Sequence, residues 1–566
     1  MLRIVHIKEK ITMLNAPENR NCFEYLRDST GIYEDFYMMQ HFDEKYMRSE
    51  MLRDIDCLAA YFQKELGLKR GDVYTIFMPT TVQSIVTFYA LNKIGVITSF
   101  VHPLMATEFL KEQLELVHSK GVMVLDLLAK DHIGTINDSG LPCIVCNSSD
   151  YSGGIKGFGC KVGEGLIKKI FPKYNRATYY KDAIKMHRGA EPVVNNADDI
   201  CAYLNGGGTT GKSKTIKLTN RAINELTWRV SDIDEIYDPG NECEVIVLPM
   251  FHCFGLCLGV HMAMCNSARI IPMMQFDAKI FTKLMRKYNV VGFGGIPLMF
   301  EKLMKDKHFD GPHLKNVRLM FCGGDDISEA FIDKYNSYFE KWGATGRLRQ
   351  GYGLTEIGSV CCTNTNEANK RGSIGKAIRG VEIEIWDDDH KRLPNGEIGE
   401  FAISGPTIMQ GYYMEGEKED YGLYTDENGK KWVLSGDLGY MDDDGFFFFS
   451  GRKKRLIIIS GYNVYPTDME RVAGELPFIR ECCAVQGWEN ERSIVRLYAT
   501  LKEKGDEEAY KKQICETLES NFSKFYVPRD IIFMDALPET PLMKVDFMKL
   551  TAADPEKARA ERKIKD

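Results

Sequence analysis

From about residue 50 the chain alternates short apolar runs with segments whose apolar residues recur every three or four positions, the rhythm of strands alternating with helices in a parallel α/β sheet. Val73 to Met78 reads as a buried strand and Val82 to Asn92 as the helix after it. Beyond Val101-His102-Pro103 the spacing predicts a helix with Leu110, Leu114 and Val117 on one face and Thr107 as its cap. Val122 to Leu125 is the next strand. The alternation resumes with strands at Val245 to Leu248, Ile270 to Met273, Val290 to Phe293 and Val317 to Cys322, and a helix over Ile280 to Tyr288. The intervening Tyr151 to Asn196 is Gly- and Lys-rich with weak periodicity and reads as a surface excursion.

After about residue 380 the texture changes to short strands and glycine turns: Val381 to Trp386, Gly399 to Ser404, then Gly445 to Ser450. Arg452-Lys453-Lys454-Arg455 follows, then a strand at Leu456 to Ile459 and a remainder long enough for a small α+β domain. A chain of 566 residues exceeds the size at which one core stops growing. Two domains are therefore expected, 1–453 and 454–566, with the break near Lys454.

Composition narrows the class. Hydrophobic residues at 44% and charged residues at 27% describe an ordinary globular chain rather than a disordered one. A net charge of −7 leaves no overall electrostatic footprint for nucleic acid. The 16 cysteines sit in apolar runs (Cys253, Cys257, Cys265, Cys322) or in pairs (Cys361/Cys362, Cys482/Cys483), as small hydrophobes in a reducing compartment do. No Cys/His spacing resembles a zinc site. Neither a signal-peptide core nor a transmembrane run is apparent, so the expected location is cytoplasmic.

The most informative segment is Gly206-Gly207-Gly208-Thr209-Thr210-Gly211-Lys212-Ser213. It fits G-x-x-x-x-G-K-S, the phosphate loop of many nucleotidases, but that loop needs a helix to start at once. Here Lys214-Thr215-Ile216-Lys217-Leu218 alternates like a strand, and the helix signal waits until Thr219 or Asn220. The second reading is a loop between two strands, whose glycines let backbone amides approach phosphates while Thr209, Thr210 and Lys214 supply hydroxyls and charge.

Other segments keep it company: Pro249-Met250-Phe251-His252-Cys253-Phe254-Gly255, Cys322-Gly323-Gly324-Asp325, Gln350-Gly351-Tyr352-Gly353-Leu354-Thr355-Glu356, Ser435-Gly436-Asp437, Gly451-Arg452 with Lys454, Gly461 to Glu470, and Pro538 to Lys544. Together they resemble the adenylate-forming superfamily of acyl-CoA synthetases, luciferases and peptide-synthetase adenylation domains, from about Gly71 to Asp546. The chain departs from that pattern with Gly207 for Ser, Ser213 for Pro, Thr215 for Gly and Met543 for Gly.

The resemblance implies a large N-terminal domain of parallel α/β sheets with a small β-barrel-like subdomain, followed by a small mobile α+β domain. It implies ATP and Mg²⁺, and coenzyme A as thiol acceptor, with an acyl carrier protein as the alternative. Gly208, Thr209, Thr210, Gly211 and Lys214 would serve the phosphates, and His252 would line the acyl pocket. Tyr352 would pack on adenine, Gly323 and Gly324 would leave room for adenine stacking and acyl packing, Asp325 and Gly353 would complete the ATP/AMP site, Thr355 would reach the α-phosphate, and Glu356 would hold the metal. Asp437 would bind ribose, Arg452 would contact ribose or phosphate, Lys454 would be the hinge, Gly461 would face the pantetheine path, and Lys544 would bridge carboxylate and α-phosphate.

No Asp or Glu lies between Phe251 and Gln275 to pair with an ammonium, which disfavours an amino-acid substrate. Phe251, Cys253, Leu256, Cys257, Met262, Gly294, Gly295 and Gly324 suggest an apolar slot for a fatty or aryl acid. Lys453 and Arg455 read as a solvated basic run, and Thr467 to Glu470 as a capping box. The rival readings are a phosphate-loop nucleotidase, which would make ADP and phosphate, and a non-catalytic nucleotide- or acyl-binding relative.

Overall fold

The computed structural model describes residues 17–41, 43–126, 128–152, 173–206, 214–230, 237–324, 327–459, 462–489, 492–522, 524–539 and 545–553. The chain divides into two compact units, Met1–Ile383 with Ile403–Val433, and Glu384–Ala402 with Leu434–Asp566.

The first unit is built on two large, mainly parallel sheets. One has eight strands in the order Gly411–Tyr413, Thr215–Thr219, Ile200–Asn205, Ile97–Phe100, Val73–Phe77, Val122–Leu125, Cys143–Cys146 and Ala177–Tyr179. Its pairings are parallel from Ile200–Asn205 to the far edge, and antiparallel among the first three strands. Val73–Phe77 and the helix Val82–Lys93 are almost wholly buried, which is why both read as near-continuous apolar runs.

The other sheet has nine strands: Lys376–Ala377, Ser359–Thr363, Leu348–Leu354, Leu319–Cys322, Val290–Gly295, Cys243–Ile246, Arg269–Pro272, Tyr37–His41 and Glu44–Met47. The six strands from Leu348–Leu354 to Tyr37–His41 run parallel. Beneath them lies an aromatic core in which Phe293 stacks on Phe300 at 5.7 Å and Phe300 meets Tyr335 edge-on at 5.2 Å. Such pairs add to plain area burial and tie the strand Val290–Gly295 to the helices Pro297–Lys305 and Glu329–Lys341 packed on it.

Two local expectations are corrected. Tyr151 to Asn196 is more than a surface excursion. Ala177–Tyr179 closes the eight-stranded sheet, and the hydroxyl of buried Tyr151 donates to Asp54 at 2.8 Å and meets that of buried Tyr180 at 2.9 Å. Its strand is too short and too polar for a periodicity signal, and residues 153–172 lie outside the described ones. Thr107 is the first helical residue rather than the cap, with Ala106 before it, and its hydroxyl meets His132 Nδ1 at 3.3 Å.

The short strands after residue 380 form a five-stranded sheet of Glu382–Trp386, Gly399–Ser404, Lys431–Met441, Tyr424–Thr425 and Phe447–Arg452. The division into units falls within it. The second unit adds the hairpin Ile457–Ile459/Tyr462–Val464, then a three-stranded sheet, Ile479–Glu489, Arg492–Leu501 and Asp530–Met534. Helices Pro466–Gly474 and Glu507–Asn521 share one core with these strands through Met469, Val472, Val495, Leu497, Ile514 and Leu518. That is an α+β unit.

Candidate active site

The Gly-rich segment sits between two antiparallel strands. Ile200–Asn205 runs in, Thr215–Thr219 runs out with Asn205 opposite Thr215, and the Gly206 amide donates to the Lys214 carbonyl at 2.9 Å. A strand follows the loop, and the helix begins only at Asn220, so the helix-capped phosphate loop is not formed. Gly208, Thr209, Thr210 and Gly211 lie outside the described residues, as do Asp325, Gly461 and Lys544.

Around this hairpin the first unit gathers three charged or polar groups. Glu356 lies in the short turn Thr355–Ile357 that ends the strand Leu348–Leu354. Its Oε1 accepts a hydrogen bond from the Tyr412 hydroxyl at 3.0 Å, and its backbone carbonyl accepts the Met409 amide at 2.7 Å. A Cβ placed on Gly206 would lie 3.9 Å from the same Oε1, so the loop begins beside this carboxylate. Lys214 Nζ sits 4.2 Å from the centroid of the Tyr412 ring. Burial, and after it the Glu356 charge, push the Tyr412 phenol well up, so it stays a donor.

Tyr412 was not legible as a site residue. It is one of 27 tyrosines, and it arrives only because Gly411–Tyr413 pairs with Thr215–Thr219, placing Tyr412 opposite Ile216. Gly353 is positioned by a contact of another kind. A Cβ there would lie 1.5 Å from the Ser359 carbonyl oxygen, so only glycine lets this strand and the next close around Tyr352 and Thr355.

The Pro249–Gly255 segment turns sharply into a wide, π-type helical stretch, Phe254–Met262. A Cβ on Gly255 would meet the Pro249 carbonyl oxygen at 2.1 Å. His252 is half-buried, with its amide on the Pro249 carbonyl at 3.0 Å and its ring 5.1 Å from Phe251. Phe251 in turn lies 4.3 Å from the His102 ring, whose pKa burial lowers.

Phe254 touches the glycine slot: Cβ atoms on Gly294 and Gly323 would lie 3.2 and 3.5 Å from its ring. Gly294 is legible in the sequence as a slot residue, whereas Phe254 is not, because the turn into the π-type stretch places it. Leu256, Cys257 and Met262 are buried in the π-type stretch. Cys253 Sγ lies 3.5 Å from Thr355 Oγ1.

In the second unit Asp437 is fully buried, opposite Arg452 across the hairpin, and the two pair at 2.8 Å between Oδ1 and Nε. Two members of the basic run are ion-paired rather than merely solvated, which corrects the expectation for Lys453 and Arg455. Lys453 Nζ pairs with Asp388 at 2.8 Å and with Glu400 at 2.9 Å, and the Asp388 bond does most to raise its pKa. Arg455 pairs with Glu470, which also accepts the Ala484 amide at 2.8 Å. Glu470 is thereby drawn away from any capping box, and its helix begins at Pro466, with Tyr465 before it. Lys454, between the two anchored residues, is exposed.

Among the described residues no group of three or more His, Cys, Asp or Glu could hold a metal, and the described cysteines are free thiols. A phosphate-borne Mg²⁺ needs no such group, since one carboxylate plus substrate oxygens suffices. Glu356, with one carboxylate oxygen held by Tyr412 and beside the Gly-rich loop, fits that donor set. No described helix is long and apolar enough to cross a membrane.

Comparison with known proteins agrees with this geometry. Residues 33–413 match the AMP-binding enzyme family and residues 468–544 the AMP-binding enzyme C-terminal domain. A long-chain-fatty-acid–CoA ligase of Escherichia coli O6:H1 is 25% identical over 553 residues, covering 94% of each chain. One of Bacillus subtilis is 27% identical over 542 residues, covering 93% of each. Among solved structures, ATP-bound MatB from Rhodopseudomonas palustris superposes with a TM-score of 0.80 at 20% identity, covering 96% of this chain and 100% of that one. The fold is thus that of adenylate-forming enzymes.

Proposed function

The chain belongs to the AMP-binding enzyme family, and from that premise we propose that it is an ATP- and Mg²⁺-dependent acid–CoA ligase. The observation that carries the reading is the cluster of Glu356, Tyr412 and Lys214 at the mouth of the Gly-rich loop. It sets a held carboxylate beside a cation, as a metal-bound triphosphate requires.

In the first half-reaction the acid's carboxylate oxygen attacks the α-phosphorus of ATP in line. A P–O bond forms, the bond to the β-phosphate oxygen breaks, and acyl-AMP and pyrophosphate result. Thr209, Thr210, Gly208, Gly211 and Lys214 bind the phosphates, Thr355 reaches the α-phosphate, and Lys544 offsets the charge of the attacking carboxylate. Tyr352 packs on adenine beside Gly323 and Gly324, Gly353 and Asp325 complete the nucleotide site, Asp437 receives ribose, and Arg452 contacts ribose or phosphate. Glu356 would hold Mg²⁺, which supplies charge neutralisation on the phosphates.

In the second half-reaction a thiol adds to the acyl carbonyl. The thiol proton goes to solvent, AMP leaves with the anhydride oxygen, and a thioester remains. We assign 1–453 to the adenylating domain and 454–566 to the mobile one. Lys454 suits a hinge because Lys453 and Arg455 on either side are tied to Asp388, Glu400 and Glu470, whereas Lys454 makes no hydrogen bond or ion pair among the described residues. Gly461 then faces the pantetheine path, with coenzyme A as acceptor and an acyl carrier protein as the alternative.

The acid is a fatty or aryl acid in the slot of His252, Phe254, Gly294 and Gly323. The relatives named long-chain-fatty-acid–CoA ligase support a fatty acid, and an Arabidopsis thaliana relative named 4-coumarate–CoA ligase-like 6, 24% identical over 499 residues, supports an aryl one. The reaction is placed in the cytoplasm.

The test is the nucleotide product from ATP and Mg²⁺ with fatty, aryl and amino acids, with and without coenzyme A. AMP and pyrophosphate that depend on one acid class, with further turnover on adding coenzyme A, are expected. ADP and phosphate regardless of acid would overturn the reading.

A further inference from the structure

Thr355 has a neighbour outside its own motif. Cys253, just before the π-type stretch, directs Sγ at Thr355 Oγ1 from 3.5 Å, with the thiol as donor. The residues lie 102 positions apart and meet within the first unit. Cys253 is 8% exposed, and burial pushes its thiol up to about 11, the Thr355 contact acting against that rise and the Glu356 charge with it. It is therefore an S–H group, not a thiolate, at neutral pH.

A threonine hydroxyl has one proton to donate and two lone pairs with which to accept. Once Oγ1 accepts the thiol proton, one lone pair is occupied and the hydroxyl's own proton turns away from the sulfur. We infer that Cys253 is a positioning residue for adenylation, its S–H donated to Thr355 Oγ1 so that the threonine hydroxyl is set to donate to the α-phosphate. This rests on reading the chain as an acyl-adenylate-forming ligase.

The experiment compares Cys253→Ala, Cys253→Ser, Thr355→Val and the double variant Cys253→Ala/Thr355→Val in the full chain. The readouts are ATP–pyrophosphate exchange, KM for the acid and thermal midpoint. Cys253→Ala removes the donor and should lower the exchange kcat about fivefold, the worth of one hydrogen bond, with KM for the acid unchanged. Cys253→Ser keeps a donor and should recover most of the loss. The double variant should be no slower than Thr355→Val alone, because the alanine acts only through the threonine hydroxyl.

Equal loss in Cys253→Ala and Cys253→Ser, or additive losses in the double variant, would mean that the sulfur only fills space and would overturn the inference. A wild type that exchanges pyrophosphate while Cys253→Ala matches it sinks the inference and leaves the ligase reading intact. A wild type that makes no AMP with any acid removes both.

Discussion

Replacing Tyr412 with Phe takes one hydroxyl from the site and leaves nearly everything else in place. The Glu356 backbone is held independently by the Met409 amide at 2.7 Å, so only the carboxylate loses a tie. Lys214 packs over the Tyr412 ring rather than on its oxygen, and phenylalanine keeps that face. A hydrogen bond to a charged acceptor is worth about 1.5–3 kcal/mol, and Glu356 is half-buried, so the lower end applies. At about 1.4 kcal/mol per factor of ten, kcat/KM for MgATP should fall about tenfold. Initial rates of pyrophosphate release at saturating acid, with MgATP varied, measure it.

Leucine at 412 also deletes the aromatic face and should cost several-fold more, as a lost cation–π contact of about 0.5–1 kcal/mol implies. A Tyr412→Phe enzyme within twofold of wild type, alongside an inactive Glu356→Gln, would refute the claim that this hydroxyl orients the carboxylate proposed to hold the metal.

Two further outcomes test the surrounding packing and charge. Phe254→Ala should uncover Gly294 and Gly323 and raise kcat/KM for a bulkier acid about tenfold relative to the acid preferred by wild type, as a pocket change of one or two methylenes allows; an unchanged acid profile would remove Phe254 from the slot. His261 is fully buried, its Nε2–H donating to Asn224 Oδ1 and its Nδ1 accepting from the Tyr89 hydroxyl, both at 2.9 Å, and burial pushes its pKa down to about 3. The unfolded chain takes up a proton below about 6.5 that the folded chain refuses, so this stability is complete above that pH and is lost as pH falls toward 3. About 2 kcal/mol should be gone at pH 5, and urea unfolding at pH 7 and pH 5 should lose that difference in His261→Gln; equal pH slopes in both proteins would refute it.

Local pattern sufficed wherever a segment's own neighbours decide its structure. Val122–Leu125 and Gly399–Ser404 are the strands expected, and the strand after the Gly-rich loop follows from Thr215 to Leu218 alone, because alternation and buried apolar runs are properties of contiguous residues. Gly353, Thr355 and Glu356 arrive together at one place because they lie within four consecutive positions of the chain. What the chain alone left open were the partners that come from elsewhere. Tyr412 reaches Glu356 across 56 residues, Cys253 reaches Thr355 across 102, and Lys453 finds Glu400 across 53, each through strand pairing or a turn that no window of sequence contains. Chemistry-bearing residue types are written locally, whereas hydrogen-bond partners and the solvation of a charged run depend on which distant segments share a surface, and burial of the whole core decides that.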